Sequence, residues 1–153
     1  MKIKYLEMKD FEKMKELFRD VFSSHPWFDK WDNQAQLDAY LKDLTDNTNS
    51  LSLALYDERH ELIGCSLGYI FNWWEGREYF IKEFFIAKNK QNQGAGRTFL
   101  HLADRFLQDQ DVACIILATE KHVPAFQFYQ NNGFSVLENS VHMVKRVTQK
   151  EKG

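Results

Sequence analysis

Proline and cysteine are scarce, with two of each in 153 residues, and no apolar stretch approaches the ~20 residues that a membrane-spanning helix needs. The first scarcity leaves long stretches free to form regular structure. Cys65 and Cys114 each sit inside an apolar, strand-like run with no partner at ligand spacing. That excludes a disulfide framework and a cysteine-rich metal site, and leaves buried free thiols in a reducing, cytoplasmic setting as the expectation. Charge of one sign is also lacking: 20 Lys and Arg face 22 Asp and Glu, for a net charge of -2. With no block of like charge there is no electrostatic footprint for nucleic acid or anionic lipid, so a small ligand is expected instead. The N-terminus "MKIKYLEMKDFEKM" has no apolar signal core.

Apolar residues make up 44% of the chain and aromatics 15%, spread along its length, which argues against disorder. The length suits one domain that buries about two-thirds of its unfolded surface. We expect a single domain over residues 1–147 and a frayed tail over 148–153. Ile3, Tyr5 and Leu6 predict a first strand. Phe11, Met14, Leu17, Phe18, Val21 and Phe22 then fall at helical spacing, as do Leu37, Tyr40, Leu41 and Leu44 after the break "SSHPWFDKWDN". Leu51 to Tyr56, Leu62 to Phe71 and Tyr79 to Ala87 predict an antiparallel three-strand meander. Phe99, Leu102, Ala103, Phe106 and Leu107 predict a third long helix, leading into the buried-looking strand "VACIILAT". A short helix around Ala125, Phe128 and Tyr129 closes on Asn-Asn-Gly, and two last strands are predicted over Phe134 to Leu137 and Val141 to Val147.

Between the meander and the third helix lies "KNKQNQGAGRTFL", where Gly94 and Gly96 bare the backbone at a helix start. The first helical turn has unpaired N–H groups and the positive end of the macrodipole, so an anion such as phosphate is the natural guest. A loop that needs glycine for turn geometry alone is the plainer alternative. Gly96 is followed by Arg97 and Thr98, not by the lysine of a nucleoside-triphosphate loop. Phe99 stands where a dinucleotide fingerprint would place a third glycine, so a nicotinamide oxidoreductase is remote.

Taken together with Gln91, the stretch reads Gln-x-x-Gly-x-Gly after the strand "KEFFIA". It resembles the acetyl-CoA pyrophosphate loop of the GNAT superfamily of N-acetyltransferases. "HVPAFQFYQNNGF" resembles that family's Asn-x-x-Ala-x-x-Phe-Tyr-x-x-x-Gly-Phe segment, with His122 where the family often carries asparagine and, upstream, Lys88 where a proline commonly precedes the loop. The order of elements is similar from end to end. The resemblance implies an α/β (α+β) acyltransferase fold, a mixed central sheet of about six or seven strands flanked by about four helices.

It further implies transfer of the acetyl group of acetyl-CoA to a primary amine of a small molecule. The cofactor would be held by Gln91, Asn92, Gln93, Gly94, Ala95, Gly96 and Arg97 at the pyrophosphate, by His122, and along the strand by main-chain groups of Phe85 and Ile86. A protonated amine must lose a proton before it attacks a thioester, which requires a base or a water relay. Glu83 matches the family's strand-borne glutamate, and strand alternation would place it with Ile81 and Phe85, opposite Lys82, Phe84 and Ile86. A surface ion pair is the plainer role for such a carboxylate. Tyr129 matches the family's tyrosine acid for the departing thiolate, with core packing beside Phe128 as its alternative. Trp27, Trp31, Trp73 and Trp74, with Asp29, Asp32 and Glu75, would form an aromatic and acidic wall for a cationic amine, or else pin long connections to the core. The remaining histidines show no metal-ligand spacing, so no metal is expected. Dimers are common among related folds, so a homodimer is one arrangement the resemblance allows. A non-catalytic acyl-CoA-binding module remains the second reading.

Overall fold

The computed structural model describes residues 1–151. Its elements run β1 (Lys2–Tyr5), α1 (Phe11–Phe22), α2 (Gln34–Thr45), β2 (Ser50–Tyr56), β3 (Leu62–Trp73), β4 (Gly76–Ile86), α3 (Ala95–Gln108), β5 (Val112–Leu117) and α4 (Pro124–Asn131). The helices form where apolar residues recur every three or four positions. Met14, Phe18, Val21 and Phe22 are the buried stripe of α1, and Phe99, Leu100, Ala103 and Leu107 supply that of α3. The start of α2 is fixed by the Asn33 side chain, which accepts from the Gln36 N–H at 3.1 Å.

The five strands lie in chain order in one mixed sheet. All neighbours are antiparallel except β4 and β5, which α3 connects as a parallel pair. Two apolar layers sandwich the sheet. On one face α1 and α2 pack Met14, Phe18, Leu37 and Leu41 onto Cys65, Leu67 and Phe85. On the other, α3 packs Phe99, Ala103 and Leu107 onto Leu53, Leu55, Tyr79, Ile81 and Ile86. Phe18 alone is worth about 2–3 kcal/mol of buried apolar surface.

The C-terminal segment departs from expectation. A turn follows Leu137, closed by the Ser140 N–H donating to the Leu137 carbonyl at 3.1 Å. No ladder flanks it, and Val141, Met143, Val144 and Val147 are at least 80% exposed. Two short strands are marginal without a third to pair with. These stand off from β5 across a cleft of about 1060 Å³, lined also by α3 and α4. The sheet therefore has five strands among the described residues instead of six or seven. For the same reason β5 is not the buried strand its composition predicts, and Cys114 is exposed while Cys65 is buried. Of the expected tail, residues 152 and 153 lie outside the described residues.

Candidate active site

The site is built where β4 and β5 part. Their pairing runs only from Arg77 with Val112 to Ile81 with Leu117, and the last five residues of β4 continue alone on that side. The parting follows from a bulge. Leu67 of β3 faces Glu83, but the next residue, Gly68, faces Ile81, so Lys82 is an extra residue in β4. A bulge bends its strand and sharpens the local twist, which carries the end of β4 away from β5. Glycine at 68 makes the crowding tolerable: a Cβ there would sit 2.1 Å from the Phe80 carbonyl oxygen.

The bulge also overturns the expected alternation. Before it, odd-numbered Tyr79 and Ile81 face α3; beyond it, even-numbered Phe84 and Ile86 do. Glu83 and Phe85 thus face α1 and α2, opposite Ile81 and not beside it. A simple count of two per strand repeat cannot reveal an inserted residue.

The same register decides which main-chain groups are free. The Ala87 N–H donates to the Ile63 carbonyl at 2.8 Å, so alternation turns the main chain of Phe85 toward β3 and that of Phe84 and Ile86 toward the open edge. The main chain of Phe85, expected to be free for a cofactor, is thus turned to β3, while that of Phe84 and Ile86 lies on the open side. The Ile86 carbonyl already accepts from the Gln91 side-chain amide at 2.9 Å. Gln91 is a brace between the end of β4 and the loop, and Gln93 similarly donates to the Asn89 carbonyl at 2.9 Å.

The two glycines do different work. Gly94 has φ +83° with nothing within 4 Å of a hypothetical Cβ, so it is needed for its left-handed backbone and leaves open space beside it. A Cβ on Gly96 would lie 2.9 Å from Phe128, so its absence lets α4 close onto α3. The first intrahelical donor of α3 is the Thr98 N–H, bonded to the Gly94 carbonyl at 3.0 Å. The N–H groups from Asn92 to Arg97 have no acceptor among the described residues. Such donors, converging at a helix start with an exposed Arg97 beside them, fit a diphosphate.

Glu83 is partly buried, and its Oε1 accepts a hydrogen bond of 2.6 Å from the Tyr40 hydroxyl of α2. Burial raises the carboxyl above its usual range, and the Tyr40 bond and the Lys82 ammonium act against that rise. From the other side of the sheet, Tyr129 packs its ring 6.2 Å from Phe84, 5.4 Å from Phe128 and 5.3 Å from Phe134. Burial, and then the charge of Glu83, push its phenol up, so it stays protonated at neutral pH. Its hydroxyl has no hydrogen-bond partner among the described residues.

The tryptophans divide. Trp31 stacks on Tyr40, with centroids 5.3 Å apart and planes at 23°, and so reaches the site through that ring. Trp27, partly buried, packs on Phe22 at 5.5 Å at the edge of the core. Trp73 and Trp74 are exposed at the β3–β4 hairpin tip, roughly 20 Å along the strand from Glu83. His122 is exposed in the turn before α4. Sequence reasoning missed Tyr40, taking it as one of an apolar stripe; it was the stripe's only member with a polar tip, which needs a partner when buried.

The sequence model of the acetyltransferase (GNAT) family matches residues 11–134. Among solved structures, one similar chain is an aminoglycoside acetyltransferase, meta-AAC0020, from an uncultured soil metagenomic sample, in complex with sisomicin. It is 20% identical with a TM-score of 0.71, and the match covers 96% of each chain. A GNAT family acetyltransferase from Staphylococcus aureus is 21% identical over 95% of this chain and 98% of its own, with a TM-score of 0.68. A transcriptional regulator from Bacillus halodurans is 16% identical over 94% and 99%, with a TM-score of 0.73. At these identities the structures establish a shared fold. No protein of curated function matches.

Proposed function

Because the chain belongs to the acetyltransferase (GNAT) family, we propose that it moves the acetyl group of acetyl-CoA to a primary amine of a small molecule. The observation that carries this reading is the run of unpartnered N–H groups from Asn92 to Arg97, set beside the open edge of β4. Those donors would hold the diphosphate, and the main chain of Phe84 and Ile86 would meet the extended arm. Acetyl-CoA supplies the activated thioester. Glu83 takes the proton from the amine, directly or through water; a carboxyl raised by burial is a better base near neutrality than an ordinary one. Tyr129 keeps its proton at neutral pH and donates a hydrogen bond to the sulfur as negative charge develops there.

A cationic acceptor suits the surroundings. The negative charge of Asp29 acts on Glu83 from the α1–α2 connection, and the stacked Trp31–Tyr40 pair lies beside that carboxylate. One structural neighbour, an aminoglycoside acetyltransferase, is in complex with sisomicin. The test is to incubate the protein with acetyl-CoA and a panel of aminoglycosides, polyamines, amino acids and peptides, following thiol release. Release with at least one amine, abolished or strongly slowed in Glu83→Gln, supports the reading. Calorimetric binding of coenzyme A without turnover across the whole panel would instead favour a binding module.

A further inference from the structure

The mechanism above leaves unexplained why a phenol from α2 lies 2.6 Å from the base. Tyr40 is itself held on two sides: its ring is stacked on Trp31 at 5.3 Å and tilted against Phe18 at 6.1 Å. Trp31 in turn meets Phe18 edge-on at 5.7 Å, and its carbonyl accepts from Arg19 Nη2 at 3.0 Å. A chain of packed groups from α1 through the connecting loop to α2 thus ends on one carboxylate oxygen.

We propose that Tyr40 is a positioning residue for the acetyl transfer, holding Glu83 by Oε1 so that Oε2 alone is turned to receive the proton of the amine. The inference rests on Glu83 being the base. In the step itself an N–H bond of the amine breaks and an O–H bond forms at Oε2, with the electron pair left on nitrogen for the attack. Tyr40 can only donate here: burial, and then Glu83 itself, hold its phenol far above the ordinary value. A donor to the charged form favours ionisation, so Tyr40 keeps the buried carboxylate deprotonated and able to act. The other charged or titratable groups acting on the pair are Lys82 from β4, Asp29 from the α1–α2 connection and Tyr69 from β3, and Glu83 in turn acts on Tyr129 of α4. Lys82 opposes the burial that raises Glu83, and Asp29 adds to it. Tyr40 is the one that makes a direct bond.

The experiment is a carbon-13 titration of the full chain labelled at glutamate side-chain carboxyls. The resonance lost in Glu83→Gln identifies Glu83. In Tyr40→Phe, which keeps the ring and its stack on Trp31, that resonance should titrate about one pH unit higher, the size expected for loss of a hydrogen bond to a charged group. An unmoved titration overturns the proposal. If Tyr40→Phe does not fold, label at the tyrosine ζ carbon instead. A tyrosine signal that follows the Glu83 titration in the unaltered protein and ceases to do so in Glu83→Gln supports the bond, and none doing so overturns it. With an active amine in hand, the acidic limb of kcat/KM should move upward with the same shift while coenzyme A affinity is unchanged. Loss of the base reading has a different signature: a pH profile that Glu83→Gln leaves intact, whatever the titration shows.

Discussion

Replacing either glycine at the start of α3 by alanine adds one methyl group, yet the two changes should fail in different ways. At Gly96 the new Cβ would meet Phe128 Cζ at 2.9 Å and Cε1 at 3.2 Å, against a comfortable carbon separation of about 3.5–4.0 Å. The ring must retreat by roughly 0.5–1 Å, and Tyr129 is the next residue in the same helix. Overpacking costs about 1–3 kcal/mol, while alanine recovers up to ~1 kcal/mol of helix propensity, so the net loss is about 1 kcal/mol, or 2–4 °C in Tm. The catalytic effect should be larger, because a displacement of about 1 Å at a reacting group costs on the order of 100-fold in rate. At Gly94 nothing crowds the methyl, but φ +83° penalises it by about 1–2 kcal/mol, and the loop that gathers the N–H groups is distorted. Gly94→Ala should therefore lose coenzyme A affinity with a similar fall in Tm, and Gly96→Ala should lose kcat with affinity largely kept. Scanning calorimetry, coenzyme A titration and initial rates on the two variants decide the matter. Equal loss of affinity in both, or full kcat in Gly96→Ala, would refute this division of labour.

Tyr129→Phe should lower kcat by about 10–100-fold with coenzyme A affinity unchanged, since only the unpartnered hydroxyl is removed; a weakened coenzyme A titration would reveal a packing role instead. Glu83→Gln should be no less stable than the parent near neutral pH, because the folded chain raises this carboxyl above its unfolded value. Stability from such a group is complete below the unfolded pKa and is lost as pH rises through the folded one, so the variant's relative Tm should climb over that interval and level off above it. A thiol reagent should label Cys114 in the native protein, slowed by the burial and the Glu78 contact that push its thiol up, and Cys65 only after denaturation, as mass spectrometry of the two peptides would show. Gln91→Ala frees the Ile86 carbonyl from its brace and should weaken coenzyme A binding about 3–10-fold, on the scale of one hydrogen bond.

The parts of this molecule that follow a simple period were legible in advance. Both long apolar stripes, at Met14–Phe22 and Phe99–Leu107, are buried as their spacing requires. The meander appears as β2, β3 and β4 within a few residues of its expected limits. Gly94 and Gly96 stand at the start of a helix, although only Gly94 has the left-handed backbone that bare glycine suggests. What escaped prediction depends on partners distant in sequence. The Lys82 bulge exists only relative to β3, and it reverses the face that counting assigns to Ile81 relative to Glu83. The Tyr40 bond joins residues 43 positions apart. The last two apolar runs carry strand-like composition, but a strand requires a neighbour's edge, and composition does not supply one.

Lys82 is the one exposed position in β4, and its side chain belongs to neither apolar layer. Were it deleted, Ile81 and Glu83 would become neighbours, each still opposite its present partner in β3 and each still directed into its own layer. The shortened strand would be flatter, and β5 could go on bonding past Leu117 until the gap zipped shut. A superfluous amino acid thereby holds two strands ajar, and the opening between them rests on a residue that the hydrophobic interior could spare.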